Sequence, residues 1–143
     1  MGVLRALADA VAVGAGTLRA ENRRHWTPAF ITGRPTPHVL AFGESGTVDL
    51  ERTLRRLRRT WDIGLLLVEG GAMLNGAIID VGLYDEIFMT VALILIGTSA
   101  AHLRPLFAQG FARTPEDAIR HKLVSVRSAG DFLFKRYARM MSR

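Results

Sequence analysis

LLLVEGGAMLNGAIIDVGLYDEIFMTVALIL, residues 65–95, is the stretch around which the 143-residue chain is organised. With Ile63 and Gly64 before it, the apolar run 63–68 has the length of a strand buried on both faces. Glu69, Gly70 and Gly71 follow. Met73, Leu74, Ala77, Ile78 and Val81 then recur at spacings of three and four, which predicts a helix. Gly82 stands where a helix C-terminus favours a left-handed residue, and a second apolar run, 87–95, predicts another strand. A strand, a diglycine and a helix can together hold an anion. Glycines let backbone N–H groups come close to a ligand, and the helix they open offers unpaired N–H groups and the positive end of its dipole. On spacing alone, an ordinary tight turn fits the same residues equally well.

Composition narrows the class. Hydrophobic residues make up 49% and charged residues 22%, the balance of a globular chain long enough to form one domain over residues 1–143. The longest uncharged apolar run, 87–97 apart from its polar Thr90, is short of the roughly 20 residues a bilayer demands. One arginine and the early Asp9 make the N-terminus a poor signal peptide. There is no cysteine, hence no disulfide, thiolate metal site or cysteine nucleophile, which fits a cytoplasmic protein. The net charge of +6 favours anionic partners in general.

Working outward, residues 3–10 predict a helix and 10–13 a strand, with Gly14-Ala15-Gly16-Thr17 as a sharp corner where Thr17 can cap the next helix. Residues 29–31 and 39–42 read as two strands joined by the turn at 33–37. Residues 47–61 predict a helix with Leu50, Leu54, Leu57 and Trp61 on one face and Asp49 and Glu51 in its first turn. Its other face carries Arg52, Arg55, Arg56, Arg58 and Arg59, which reads first as a solvated face and second as a polyanion patch. No RNA-reading motif accompanies it, so nucleic acid is not the expected partner. Residues 98–110 predict loop and a short helix, and Thr114-Pro115-Glu116-Asp117 a helix start of about one turn. Residues 122–127 and 132–137 predict strands of a hairpin turning at 128–131, and the basic tail 135–143 a charged sheet edge or a binding surface. The four histidines stand far apart without ligand spacing, so no metal site is expected, and no serine lies in a nucleophile-elbow pattern.

Three segments resemble one family in order: ADAVAVGAGTLRAEN (8–22), VEGGAMLNGAIIDVGLYDEIFMTVA (68–92) and LVSVRSAGDFLFKRY (123–137). They are similar to the riboflavin-biosynthesis pyrimidine reductase domain, the C-terminal half of a bifunctional deaminase–reductase. The resemblance implies an α/β fold of dihydrofolate-reductase type, with a mixed central β-sheet flanked by helices. It also implies NADPH as cofactor and reduction of the ribose of 5-amino-6-(5-phosphoribosylamino)uracil to the ribityl chain, in a homodimer. It puts Thr17, Glu21, Gly71, Ala72, Met73, Leu74, Asn75, Gly76 and Ala77 against the cofactor and Glu69 against the substrate. It names no proton donor.

The chain departs from that pattern in four places. The acid at position 21 is glutamate where the family has aspartate, and only Gly97 remains of a proline and paired glycines near 93–98. After Glu21 the family's aspartate-proline pair and substrate-binding leucine and arginine give way to Asn22-Arg23-Arg24-His25-Trp26. The family's N-terminal strand has no counterpart before Val3, so a truncated reductase is expected. The alternative is a non-catalytic remnant that keeps the glycine-rich cradle for nucleotide binding or dimerisation.

Overall fold

Ala10, Val11, Ala12 and Val13 are almost wholly withdrawn from solvent, and the rest of the N-terminal half is built around them. The structure, a computed structural model, describes residues 2–20, 37–43, 48–99 and 106–140. In chain order the elements are α1 (Gly2–Leu7), β1 (Ala10–Gly14), α2 (Ala15–Ala20), β2 (His38–Phe42), α3 (Leu50–Trp61), β3 (Leu66–Val68), α4 (Ala72–Asp80), β4 (Glu86–Ala92), β5 (His121–Ala129) and β6 (Phe132–Arg139). The chain is therefore α/β, with helices on a parallel sheet and an antiparallel sheet after them. The parallel part is a three-stranded sheet in the order β2-β1-β3, and the antiparallel part is a second one in the order β4-β6-β5.

Within the parallel sheet β1 is the central strand, paired on both sides: Val11 lies opposite Val39 and Leu67, and Ala12 opposite Leu40 and Val68. Parallel strands covered on both faces must be apolar throughout. Val11 and Val13 pack with Leu18 of α2 and Leu67 on one side of the sheet. On the other side Leu50 of α3 and Leu74 and Ile78 of α4 form a second cluster with Phe42, Val68, Leu83 and Tyr84. Asp49 caps α3, its Oδ1 accepting from Arg52 N at 2.9 Å, so the helix starts at Leu50. α4 starts directly after the diglycine, runs nine residues to Asp80 and is followed by Gly82, whose φ of 69° favours a residue without Cβ.

Several expectations shift. The strand expected over 63–68 contracts to Leu66–Val68, and its residues are half-buried because β3 pairs with β1 only, although Ile63 is buried as expected. The strand expected over 87–95 ends at Ala92, and Leu93, Ile94 and Leu95 emerge as exposed side chains. β5 and β6 form the expected hairpin, longer than read and turning at Gly130-Asp131, with a bulge between Leu123 and Ser125. The basic stretch is not an edge: Lys135, Arg136 and Arg139 lie on β6, which pairs on both sides, and Arg136 is held by Glu86 at 2.6 Å. Residues 114–117 make a single turn, with Asp117 N donating to Thr114 Oγ1 at 3.4 Å. The expected strand at 29–31, the turn at 33–36, Thr47, His25, His102 and residues 100–105 lie outside the described residues. Among the described residues no helix is long and apolar enough to cross a membrane, and no group of three potential metal ligands assembles.

Candidate functional site

β1 and β3 run parallel and end side by side, and both the first helix turn after β1 and the diglycine after β3 begin there. In open α/β sheets ligands bind in this place, beyond the carboxyl ends of parallel strands. The backbone ties the two ends together. Glu69 N donates to Ala12 O at 2.9 Å, and Gly14 N donates to Gly70 O at 2.7 Å. Gly14 lies against this join, where a Cβ would be in ordinary contact, 3.5 Å from Gly71 N and 3.6 Å from Gly70 O. The Gly70–Gly71 peptide bond is cis.

Thr17 does not cap its own helix. It lies inside α2, and its Oγ1 accepts from Gly71 N at 3.2 Å. Thr17 and the diglycine are therefore in contact although 54 residues separate them. A Cβ on Gly71 would come within 2.9 Å of Thr17 Oγ1, so this glycine serves the join between α2 and α4 before it serves any ligand. α4 itself begins at Ala72 with Gly71 as N-cap and no side-chain cap. Its first-turn N–H groups point out of the helix end without an intrahelical acceptor, which makes a phosphate-sized anion the natural complement.

The remaining expected cofactor residues divide by position along α4. Ala72 and Met73 belong to its open first turn. Asn75 is turned to the loop, its Nδ2 donating to Phe107 O at 2.8 Å, and Gln109 N donates to Ala72 O at 2.9 Å. Leu74 is core, and Gly76 is buried where a Cβ would stand 1.7 Å from Gln109 O. Ala77 is exposed further along the helix. Glu21 lies outside the described residues.

Glu69, expected against a substrate, is occupied by a partner that the sequence reading missed. Arg5 of α1 meets it with two parallel hydrogen bonds, Nε to Oε1 at 2.6 Å and a second from the other guanidinium nitrogen to Oε2. The Glu69 side chain is 4% exposed and that of Arg5 17%, so the pair sits under the strand ends rather than on the surface. One basic residue in a short helix carries no pattern that would have announced it.

A second polar cluster lies between α4 and the antiparallel sheet. Tyr84 Oη is 2.8 Å from His121 Nε2, and the Arg139 guanidinium lies 5.6 Å over the Tyr84 ring. Burial raises the Tyr84 pKa, against the cations Arg139 and Arg113, which lower it.

The model of the RibD C-terminal domain matches residues 30–133. The chain belongs to that family. No curated protein matches it. Solved structures of the family share its fold. RibD of Acinetobacter baumannii (form 2) superposes with a TM-score of 0.80 at 20% identity, over 97% of this chain and 49% of that one. The diaminohydroxyphosphoribosylaminopyrimidine deaminase/5-amino-6-(5-phosphoribosylamino)uracil reductase of Thermotoga maritima gives 0.76 at 19% identity, over 97% and 47%. The riboflavin biosynthesis reductase Rib7 of Saccharomyces cerevisiae gives 0.63 at 14% identity, over 97% and 78%. This RibD C-terminal domain chain thus spans about half the length of the first two. Its α/β architecture is that of the reductase domains it superposes on.

Proposed function

We propose that the chain binds NADPH across the carboxyl ends of β1 and β3 and serves as the reductase domain of riboflavin biosynthesis. The observation that carries this reading is the open N-terminus of α4, a nine-residue helix with glycine as N-cap and no side-chain cap, set at the ends of two parallel strands. The N–H groups of Ala72 and Met73 are the donors offered to a pyrophosphate, and Thr17 fixes the diglycine that aims them. When bound, the nicotinamide supplies the hydride. The work of the protein is to bind, orient and exclude water, for which the residues present need no cysteine, metal or triad. The substrate proposed is 5-amino-6-(5-phosphoribosylamino)uracil, its ribose reduced to the ribityl chain, in a cytoplasmic homodimer.

One observation favours a second reading, a nucleotide-binding remnant with little turnover. The Glu69 carboxylate is already committed to Arg5, and a group holding an internal ion pair has less to offer a substrate. Cofactor affinity and turnover are therefore expected to separate: NADPH binds, while the 143-residue chain alone turns substrate over weakly. Stopped-flow loss of NADPH absorbance, with the same substrate on this chain and on one extended by an N-terminal reductase segment, tests it. Gain of turnover in the extended chain supports the reductase reading. Full turnover by the short chain removes the remnant, and no turnover by either removes the reductase.

A further inference from the structure

Two strand edges in the middle of the chain are left open: β3 pairs with β1 alone and β4 with β6 alone. Ala10 N donates to Leu65 O at 3.3 Å and Glu69 N to Ala12 O at 2.9 Å, so the backbone groups of Leu67 face β1 and those of Leu66 and Val68 face away from it. On the other sheet Leu93 N donates to Asp131 O at 3.3 Å and Arg139 N to Asp85 O at 2.8 Å. The β4–β6 register is unbroken between them, so the odd-numbered residues of β4 bond to β6, and Glu86, Phe88, Thr90 and Ala92 turn their N–H and C=O groups outward. Among the described residues none of these outward backbone groups has a partner. Leu66 and Val68 are nonetheless half-buried, where backbone groups are normally paired.

Proteins usually close an open edge with lysine, proline or a bulge. β5 does so, with Lys122 and Arg127 along it and the bulge between Leu123 and Ser125. β3 and β4 carry no such device: neither has a proline, a lysine or a bulge, and the charge of Glu86 is held by Arg136 at 2.6 Å. Their place in the fold explains why. β3, α4 and β4 follow one another as strand, helix and strand, a unit whose two strands ordinarily share a sheet. Val68 of β3 and Leu83 and Tyr84, which lead into β4, pack on one cluster with Leu74 and Ile78 of α4, yet the two strands belong to different sheets. A helix is about 10–12 Å across and paired strands lie about 4.7–4.9 Å apart, so one helix covers roughly two strand spacings. That leaves room under α4 for one strand between the two it already joins.

We infer that the free edges of β3 and β4 form a slot that takes one extended, largely apolar strand from another polypeptide, joining the two three-stranded sheets into one of seven strands. Backbone hydrogen bonds to both edges supply the affinity, and the side chains around them supply the selection. The inserted strand is apolar at every second residue, because one of its faces meets Leu74 and Ile78. A second copy of this chain cannot provide it from its described strands. A slot strand needs both edges free, and each described strand is already paired on at least one. The inference stands apart from the cofactor reading, which concerns the open end of α4.

The test uses the full chain and a labelled peptide matched in length to β4, alternating valine and threonine between lysine ends. Binding is read by fluorescence anisotropy and by amide exchange followed by NMR. In the free chain the amides of Leu66, Val68, Phe88, Thr90 and Ala92 are expected to exchange faster than those of Leu67, Met89 and Val91, and saturating peptide should slow the first set at least tenfold on both strands. Two further peptides, N-methylated at every second residue in one phase or the other, should each lose at least tenfold in affinity, since the slot uses both edges. Thr90→Pro removes an outward donor and leaves the β4–β6 ladder its own, so the variant should keep its circular dichroism and lose at least tenfold in peptide affinity. The inference is overturned by absence of binding at millimolar peptide, or by protection confined to one of the two strands. Undiminished affinity of either N-methylated peptide, or of a folded Thr90→Pro variant, also overturns it. So does protection of both edges that rises with protein concentration in the absence of peptide, which would give the edges to a second copy.

Discussion

Breaking the Arg5–Glu69 pair should be the most damaging polar change available in the described part of the chain. Both side chains are largely buried, at 17% and 4% exposure, and they meet in a two-pronged geometry. Removing one partner of a buried pair leaves the other charge desolvated and typically costs about 3–5 kcal/mol. The two single variants should not be equal. Arg5→Met strands a carboxylate that is almost completely inaccessible, and is expected at the upper end, about 4 kcal/mol. Glu69→Gln keeps an acceptor for one guanidinium N–H and leaves the cation on the better-solvated partner, so about 2–3 kcal/mol is expected. Against a total stability of about 5–15 kcal/mol, either loss is large. At about 3 °C per kcal/mol for a chain of this size, the midpoints should fall by roughly 12 °C and 8 °C. Thermal and urea denaturation of both variants and of Arg5→Met/Glu69→Gln complete a double-mutant cycle, with a coupling of about 2 kcal/mol or more expected. Single variants within 1 kcal/mol of the parent, or losses that simply add, would refute the reasoning, since the pair would then behave like a surface contact.

Three further outcomes follow from the geometry. Gly76→Ala sets a Cβ against the backbone of Gln109, so the loop must move off α4; about 1–3 kcal/mol is lost and cleavage by protease near residues 106–110 accelerates, whereas a neutral variant would contradict this packing. Tyr84 has its pKa raised by burial, so its contribution to stability is complete below the usual tyrosine value of about 10 and is lost as pH rises through the raised value. Tyr84→Phe should therefore flatten the alkaline fall of stability, measured by urea titration across that range; an unchanged fall would reject the assignment. If the protein is a homodimer as proposed, sedimentation should show one species of twice the chain mass, and a concentration-independent monomer would remove that part of the reading.

Local patterns were legible where the physics is local. The three- and four-residue recurrence of Leu74 and Ile78, with Gly82 beyond, marked α4 because a helix buries one face and ends on a left-handed residue. The hairpin of β5 and β6 was legible from its turn. What could not be read depends on pairing across distance. Lys135 and Arg136 have the look of a charged edge, but strand order is decided by which partners arrive on either side, and β6 received two. Thr17 looked like a cap because its sequence neighbours are helical, and the acceptor role toward Gly71 exists only once α2 and α4 meet. Of the candidate site, the diglycine and the open helix end were visible in advance. The commitment of Glu69 to a residue 64 positions earlier was not, because a lone arginine has no periodicity to give it away.

The claim that most needs testing is that the open end of α4 receives the cofactor's pyrophosphate. A bulky residue at Gly71 is a poor probe, because it would collide with Thr17 Oγ1 first. Ala72→Glu is better: an acid in the first turn favours the helix dipole and so spares the fold, yet puts negative charge where the pyrophosphate would sit. The measurement is calorimetric titration of NADPH into the parent chain and into Ala72→Glu, with circular dichroism to show that both are folded. A saturable site is expected in the parent and an affinity at least tenfold weaker in the variant. Equal affinity in the two folded proteins would contradict it.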